Sequence, residues 1–370
     1  MSRPRFRIAF FGSSLVSSYW NGAATYYRGL LRALAARGHG ITFYEPDAYD
    51  RQSHRDIPDP AWARVVVYSG QDEGAALQQL HAATQTADVV VKASGIGVYD
   101  ALLEQAVPDS VRGPQLAIFW DVDAPATLER MKADPSDPFR GGLANYDAIL
   151  TYGGGDPVVA AYRDLGAKLC VPIYNAVDAE THYPVAPLER YRADLSLLAN
   201  RLPDREARIH EFFFEPARRL PGRKFLLGGS GWSQDEGRPN VSVIGHVATA
   251  EHNAFNCSAR AVLNVARDSM ASVGFSPATR VFEAAGAGAC IITDAWRGIE
   301  QFLEPEAEVL VAASAEEVVA QLGTLTEQRA RLLGEAARKR VLAKHTYAIR
   351  ALQVEEILTR GAATASEARA

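Results

Sequence analysis

Cysteine is scarce in this chain of 370 residues, and its three cysteines lie far apart. Cys170, Cys257 and Cys290 form no CxxC pair, and Cys170 and Cys290 stand in apolar stretches where thiols are usually buried and unreactive. This spacing excludes a disulfide framework and a cysteine-based metal site. It also favours a cytoplasmic location, because structural disulfides are typical of oxidising compartments.

Long apolar runs and an excess of positive charge are also missing. No apolar run approaches the roughly 20 residues that a membrane-spanning helix needs, and the apolar stretch 8–11 is too short for a signal peptide. The formal net charge is -5, and neither half of the chain is basic. We therefore expect neither integral membrane association nor nucleic acid as a partner.

What the chain does contain is a repeated α/β pattern. Short, fully apolar runs alternate with helical stretches, which predicts parallel sheets that are buried on both faces by helices. One series occupies 7–11, 41–44, 87–92, 116–120 and 148–151, and a second occupies 195–199, 224–227, 241–244, 261–265, 289–293 and 309–311. The fold class is thus α/β, with two Rossmann-like, doubly wound domains.

Domain boundaries follow from the segment 171–184, which has a proline near each end and no clear period, and is predicted to be a hinge. We expect a first domain at residues 1–175 and a second at 176–345. Residues 346–370 are predicted to be a C-terminal helix that packs back on the first domain, with a frayed tail at 361–370.

The most informative segment is VGFSPATRVFEAAGAGACIITD at 273–294. Ser276 followed by proline predicts a helix that starts there and ends near Gly286. A helix N-terminus behind a loop with Gly274 offers free amides to a diphosphate, and Glu283 is placed to accept hydrogen bonds from ribose hydroxyls. The alternative is a structural helix in which Arg280 and Glu283 pair at i,i+3.

The string SMASVGFSPATRVFEAAGAGACIITDAWRGIEQF at 269–302 resembles the C-terminal signature of CgeB-like glycosyltransferases, relatives of the large retaining family four. The strings WDVDAP at 120–125, YDAILTYGG at 146–154 and YNAVD at 174–178 are similar to that family too, so the resemblance covers about residues 115 to 320. It implies the GT-B fold, in which two Rossmann-like domains face each other across a cleft. It also implies transfer of a sugar from a nucleotide diphosphate sugar, such as a UDP-sugar, without a metal.

By the same resemblance, Glu283 matches the second glutamate of the family's E-x7-E motif, which binds the ribose. The first glutamate would fall at position 275, which is Phe275. The resemblance favours a retaining reaction, but the missing carboxylate leaves an inverting reaction open. Asp121 and Asp123, at the carboxyl end of a buried strand, are the candidate general bases for it. The structural alternative is that Asp123 caps the next helix.

Other candidate site residues follow strand ends. Arg205 matches the family's phosphate-binding arginine, and a guanidinium suits bidentate phosphate contacts. His246 follows the strand where relatives hold the nucleobase. Further predicted donor-site residues are Asn200, Arg201, Gly229, Val247, Thr279 and Arg280. In the first domain, Gly12, Ser13, Asn21 and Gly22 are predicted to form a floor beneath the donor phosphate or the acceptor, although no G-x-G-x-x-G or P-loop is present.

We therefore predict a glycosyltransferase with no cofactor and no metal, which takes a nucleotide diphosphate sugar and an unidentified acceptor that is a small molecule, a glycan or a protein. Two other classes stay open. One is a nucleotide-sugar epimerase or a phosphorylase on the same fold, since fold does not fix function. The other is a non-catalytic, two-lobed sugar-binding protein.

Overall fold

The structure is a computed structural model that describes residues 4–233 and 238–367. The chain divides into two compact units. The first unit comprises the described residues of Met1–Tyr174 and Tyr347–Ala370, and the second unit comprises those of Asn175–Thr346. Each unit is built on one sheet of parallel strands.

The strands follow the apolar runs of the sequence closely. Those of the first unit are β1 (Arg7–Phe11), β2 (Gly40–Asp47), β3 (Ala63–Ser69), β4 (Val89–Ala93), β5 (Leu116–Asp121), β6 (Ala148–Thr151) and β7 (Cys170–Pro172). Those of the second unit are β8 (Leu195–Leu198), β9 (Phe225–Gly228), β10 (Val241–Gly245), β11 (Ala261–Asn264), β12 (Ile291–Asp294) and β13 (Leu310–Ala312). The prediction of two parallel α/β units is confirmed.

Helices connect successive strands and cover the sheets. They are α1 (Ala24–Ala36), α2 (Glu73–Thr84), α3 (Asp100–Ser110), α4 (Ala124–Ala133), α5 (Pro138–Gly142), α6 (Gly155–Asp164), α7 (Pro203–Ile209), α8 (Glu215–Arg219), α9 (His252–Ser258), α10 (Asp268–Val273), α11 (Thr279–Gly286), α12 (Ala315–Thr324), α13 (Glu327–Lys344) and α14 (Tyr347–Glu367). A π-helical turn, His210–Phe214, joins α7 to α8. Its three phenylalanines are buried in the core of the second unit.

Each sheet reverses its strand order once. In the first sheet, of order β3-β2-β1-β4-β5-β6-β7, the reversal lies between β1 and β4. In the second, of order β10-β9-β8-β11-β12-β13, it lies between β8 and β11. Open parallel sheets bind ligands outside the carboxyl ends of the strands at such a point. The loops after β1, β4, β8 and β11 are therefore the places to look for function.

Strands β3 and β7 are absent from the prediction, and both lie at edges of the first sheet. In β3 only Tyr68 is buried, and β7 has only three residues and ends in Pro172. A search for fully apolar runs identifies strands covered on both faces, and edge strands do not meet that condition.

The C-terminal region is already helical from Glu327, ahead of the predicted C-terminal helix at 346–370. It folds as α13 and α14, with a break at His345 and Thr346, where Val177 donates its N–H to the His345 carbonyl at 2.8 Å and bridges Thr346. Helix α14 packs on α1, where a Cβ on Gly29 would lie 2.2 Å from the Tyr347 ring. It continues to Glu367, so 361–367 are helical instead of frayed, and 368–370 lie outside the described residues.

Candidate functional site

The predicted helix in 273–294 exists, but it starts later than Ser276. Its N-cap is Ala278, while Ser276 Oγ donates to the Gly274 carbonyl at 3.0 Å. The prediction that Ser276 caps the helix is wrong, because the backbone is still extended at Ala278, with φ -63° and ψ 150°, so the helix cannot begin before Thr279. The first turn of the helix therefore opens at Thr279, whose hydroxyl accepts a hydrogen bond from Asn175 Nδ2 at 2.9 Å.

Glu283 lies in the second turn of α11 and is buried. Its Oε2 is 3.3 Å from Arg280 Nη1, and its Oε1 is 3.7 Å from His182 Nε2. Burial by itself raises the pKa of Glu283, but the charges of Arg280, His182 and His252 outweigh it, so the pKa lies below its ordinary value. The carboxylate is therefore ionised at neutral pH. Arg280 is the i,i+3 partner of Glu283, as the structural alternative predicts. Arg280 is also part of a larger charged cluster.

A cluster of arginines lies at the strand reversal of the second sheet. Arg205, on α7 after β8, donates from Nη2 to the Asn200 carbonyl at 2.8 Å. Among the described residues, its buried Nε finds no hydrogen-bond partner, and neither do Nε and Nη1 of Arg280. Burial, followed by the charges of Arg280 and Arg267, lowers the pKa of Arg205 to about 10. Guanidinium groups that repel one another and have open donors form a site for an anion.

Arg267 is a member of this cluster that the sequence analysis does not assign to the site. It follows β11 directly, and its Nε donates to Asp204 Oδ2 at 2.8 Å. Asp204 also accepts from Ser269 Oγ at 2.9 Å, which ties α7 to α10. An arginine just after the strand next to β8 is the signal that would have found it.

The loops after β8 and β9 pack tightly on each other. Asn200 Oδ1 accepts from the Ser230 N–H at 2.9 Å, and a Cβ on Gly229, whose φ is 123°, would lie 2.1 Å from the Ala199 carbonyl oxygen. Arg201 pairs with Glu206 and lies 5.4 Å from the centroid of the Trp232 ring. Asn200 and Gly229 thus shape the turn beside Arg205, whereas Arg201 turns to the surface.

His252, at the start of α9, acts on Glu283 through its charge, and the sequence analysis does not assign it to the site. His246 is exposed, while Val247 is buried and its carbonyl lies 3.2 Å from His252 Nε2. Burial, followed by the charge of Arg280, lowers the pKa of His252 to about 4. His252 is therefore neutral near pH 7. No local motif marks His182 or His252, since both reach Glu283 only through the fold.

Phe275, at the position of the missing first glutamate, packs against the loop after β12. Its N–H donates to the Arg297 carbonyl at 2.6 Å, and the Arg297 guanidinium lies 5.1 Å from the ring centroid. Gly298 is needed for this contact, because a Cβ there would lie 2.1 Å from the ring. An aromatic group held between two loops thus replaces the carboxylate of the motif.

In the first unit, the predicted floor residues mostly hold their own loop together. Ser13 Oγ donates to Asn21 Oδ1 at 2.9 Å, and Asn21 Nδ2 donates to the Ser14 and Ser17 carbonyls at 2.9 and 3.0 Å. A Cβ on Gly12 would lie 2.5 Å from the Phe43 ring, whereas one on Gly22 would meet no described atom within 4 Å. Asn21 therefore fixes the loop after β1, and only Gly22 has space beside it.

The two candidate bases occupy different environments. Asp121 is fully buried and accepts hydrogen bonds from Ser94 Oγ at 2.7 Å, Thr127 Oγ1 at 3.1 Å, the Tyr162 hydroxyl and the Asp123 N–H. Burial raises the pKa of Asp121 although these bonds oppose the shift. Asp123 is half-buried and stands at the N-cap of α4 without making a side-chain capping bond. Asp121 is thus built into the fold, and Asp123 is the better placed of the two for chemistry.

The part of the chain that the structure describes contains neither a metal-holding group of side chains nor a membrane-spanning helix. No group of three or more His, Cys, Asp and Glu side chains in 4–233 and 238–367 is arranged to hold a metal ion. In the same part of the chain, no helix has the length and apolar character needed to span a membrane.

Comparisons with known proteins give the same picture of the fold. Sucrose-phosphate synthase from Thermosynechococcus elongatus is 15% identical, with 97% of this chain and 100% of that chain covered and a TM-score of 0.68. HepE from Anabaena, in complex with UDP and glucose, is 13% identical over 96% and 100% of the two chains, with a TM-score of 0.67. AviGT4, a glycosyltransferase involved in avilamycin A biosynthesis, is 16% identical over 97% and 98%, with a TM-score of 0.61.

Sequence comparison gives a match for part of the chain. No curated protein matches the chain significantly. Residues 205–356, which include Arg205 and Glu283, match the model of a family described as glycosyl transferase-like. The matched segment is therefore similar to glycosyl transferase-like proteins, and the fold is the GT-B fold of the solved structures.

Proposed function

We propose that the second unit binds a nucleotide diphosphate sugar and that the enzyme transfers the sugar to an acceptor held by the first unit. The arginine cluster supports this proposal most directly, since Arg205 and Arg280 bury donors that no described protein group accepts from. A diphosphate supplies the charge and the acceptor oxygens that such a cluster lacks. The structurally similar HepE forms complexes with UDP, with UDP-glucose and with UDP and glucose, which supports a UDP-sugar as the first donor to test.

Glu283 is assigned to the ribose of the donor. Its carboxylate is ionised and lies one turn from Arg280, which is where ribose hydroxyls would lie if Arg280 contacts the phosphates. His182 Nε2 lies 3.7 Å from the same carboxylate. A charged acceptor of this kind binds hydroxyls more strongly than a neutral one.

In the reaction, the bond between the anomeric carbon and the terminal phosphate oxygen breaks, and a bond from the acceptor oxygen to that carbon forms. The leaving diphosphate gains negative charge, which Arg205, Arg267 and Arg280 are placed to stabilise without reorganisation. Their three positive charges fill the role that a metal ion has in other transferases, so we propose a metal-independent reaction. A cytoplasmic location, expected from the cysteine content, belongs to the same proposal.

We favour retention of configuration, because the resemblance to the retaining family includes Glu283 and the hinge string at 174–178. In that case the acceptor proton passes to the leaving phosphate oxygen. In the inverting alternative, Asp123 is the base that takes it.

The proposal is tested by thermal denaturation and calorimetry with UDP, GDP, dTDP and CMP, each with and without EDTA. A nucleotide at 100 times its dissociation constant adds about 2.7 kcal/mol to the free energy of unfolding. We expect one diphosphate to stabilise the protein, to bind equally well in EDTA, and to bind the Arg205→Ala variant more weakly. If none of the four nucleotides binds, the donor site is refuted.

A further inference from the structure

Three exposed aromatic side chains lie on two loops of the first unit that have no assigned role. Tyr19 and Trp20 are in the loop between β1 and α1, and Tyr49 is in the loop after β2. Their exposures are 39%, 68% and 54%. Single exposed aromatic residues are common, but neighbouring ones form a surface that is suited to a ligand. We call Tyr19, Trp20 and Tyr49 the aromatic platform.

One short turn supports the platform from behind. The 3₁₀ turn Arg51–His54 places the His54 ring on the Tyr19 ring, with centroids 4.0 Å apart and planes 8° from parallel. The Arg51 guanidinium, at the other end of the turn, lies 5.0 Å from the Tyr49 centroid. Each tyrosine ring is thus in contact with a planar polar group of the same turn.

Hydrogen bonds and backbone conformation hold the platform rigidly. The Tyr49 hydroxyl donates to the Gly97 carbonyl at 2.7 Å, and Ser17 Oγ donates to the His54 carbonyl at 2.8 Å. Trp20 and Tyr49 have left-handed φ angles of 47° and 57°, which side chains of this size rarely adopt. Strained backbone persists where surrounding contacts fix it, and it concentrates at ligand-binding sites.

The platform also stands where the fold favours a ligand. Its loops follow β1 and β2, and Gly97 belongs to the loop after β4, so the three loops meet at the carboxyl edge beside the strand reversal. Buried Arg51 joins them, because its Nη1 donates to the Ser13 and Ile96 carbonyls at 3.3 and 3.1 Å.

The charge of these loops restricts the chemistry of the ligand. Residues 12–27 contain no Asp, Glu, Lys or Arg, and the loop after β2 pairs Arg55 with Asp59 at 2.6 Å. Asp56 pairs with Arg28 at 2.6 Å. A phosphate, an anionic lipid surface or a nucleic acid needs a cationic surface, which these loops do not provide. Exposed aromatic rings on loops without a cationic surface instead match a sugar ring, which has an apolar C–H face.

We propose that the aromatic platform binds the acceptor and that this acceptor is a neutral saccharide, whose rings stack on Trp20 and Tyr49. The inference rests on the proposed function, and it narrows the acceptor from a small molecule, glycan or protein to an uncharged glycan or glycoside. Binding energy from rigid rings is gained at a small loss of side-chain entropy.

The test measures binding without turnover. The full chain is applied to an array of neutral, sialylated, sulfated and phosphorylated glycans, and neutral hits are measured by saturation-transfer NMR. We expect neutral saccharides to bind, Trp20→Ala and Tyr49→Ala to weaken binding about tenfold or more, and Trp20→Phe and Tyr49→Phe to restore part of it. The control is Tyr183→Ala, an aromatic residue of the second unit with 46% exposure, which should change nothing.

Failure of this inference is distinct from failure of the donor site, because UDP calorimetry on the same samples reports on the donor site alone. The inference is overturned if the protein binds UDP but no neutral glycan. It is also overturned if the protein binds UDP and neutral glycans but Trp20→Ala leaves glycan binding unchanged. Binding of phosphatidylglycerol vesicles that Trp20→Ala abolishes, or a dimer that this variant dissociates in sedimentation, also overturns it by giving the platform another occupant.

Discussion

Replacing Arg205 by methionine should make the ligand-free protein more stable and the nucleotide complex weaker. Methionine keeps an unbranched apolar stem and removes the charge. Arg205 is charged in both the folded and the unfolded chain at neutral pH, but burial and two neighbouring arginines lower its pKa from 12.5 to about 10 in the fold. The folded state therefore disfavours the charged form, and the penalty is present at neutral pH and is relieved only as the pH rises through about 10.

The size of the effect follows from that shift. At about 1.4 kcal/mol per pKa unit, the penalty has an upper bound of roughly 3 kcal/mol. Solvent screening reduces it, and the lost bond from Nη2 to the Asn200 carbonyl removes about 1 kcal/mol of stability. We expect a net gain of about 1 kcal/mol, which raises Tm by roughly 2–4 °C for a unit of this size. Loss of charge-assisted bonds to the diphosphate should weaken UDP binding by roughly 10- to 100-fold.

Differential scanning calorimetry with and without UDP, together with titration calorimetry, measures both quantities. The matched control is Arg218→Met, which removes an exposed arginine paired with Glu215 on α8 of the same unit and should leave UDP affinity unchanged. Arg205 would be an ordinary structural residue if its variant lowered the Tm of the ligand-free protein and bound UDP like the wild type.

Other predictions concern the two carboxylate sites. Glu283→Gln should weaken UDP binding about tenfold or more by titration calorimetry, because a neutral amide replaces a charged acceptor; unchanged affinity would remove Glu283 from the ribose. Since the pKa of Glu283 lies below its ordinary 4.5, the ratio of wild-type to Glu283→Gln affinity for UDP should hold at pH 5 and fall only as the pH drops through the lowered value. The ratio cancels the titration of the UDP phosphate near pH 6, so a midpoint of the ratio near pH 6 would contradict this. Retention, read from the anomeric coupling of the product by NMR, should accompany near-normal rates of Asp123→Asn, whereas inversion with a rate loss of about 10²–10⁴-fold would show that Asp123 is the base.

The fold was predictable to the extent that its strands are buried on both faces. The runs that became β1, β6 and β11 are continuous apolar segments, and their alternation with helices is sufficient to predict two parallel sheets. Edge strands and helix starts depend on other features. In β3 only Tyr68 is buried, and α11 starts at Thr279 because the backbone is still extended at Ala278, which Ser-Pro alone does not reveal.

The candidate site was predictable only in part, for a related reason. Glu283 and Arg205 were identified through resemblance to a family, and the structure places each of them beside a charged neighbour at Arg280. His182 and Arg267 were missed, because each reaches the cluster from a segment distant in sequence and carries no local motif. Spacing along a chain reports neighbours within one helix or turn, whereas a cluster at a strand reversal joins loops that only the sheet order brings together.

The arginine cluster also explains why stability and function should oppose each other in the second unit. A protein selected for stability alone would pair Arg205 with a carboxylate, as Asp204 does for Arg267 and Asp294 does for Arg208. Instead, Arg205 and Arg280 retain buried hydrogen-bond donors that have no acceptor among the described residues. Their positive charges also repel each other. If a diphosphate binds here, as we propose, it relieves that repulsion, and part of its affinity is then stored in the ligand-free fold. For the same reason, substitutions that stabilise the ligand-free unit at these positions should be the ones that weaken donor binding.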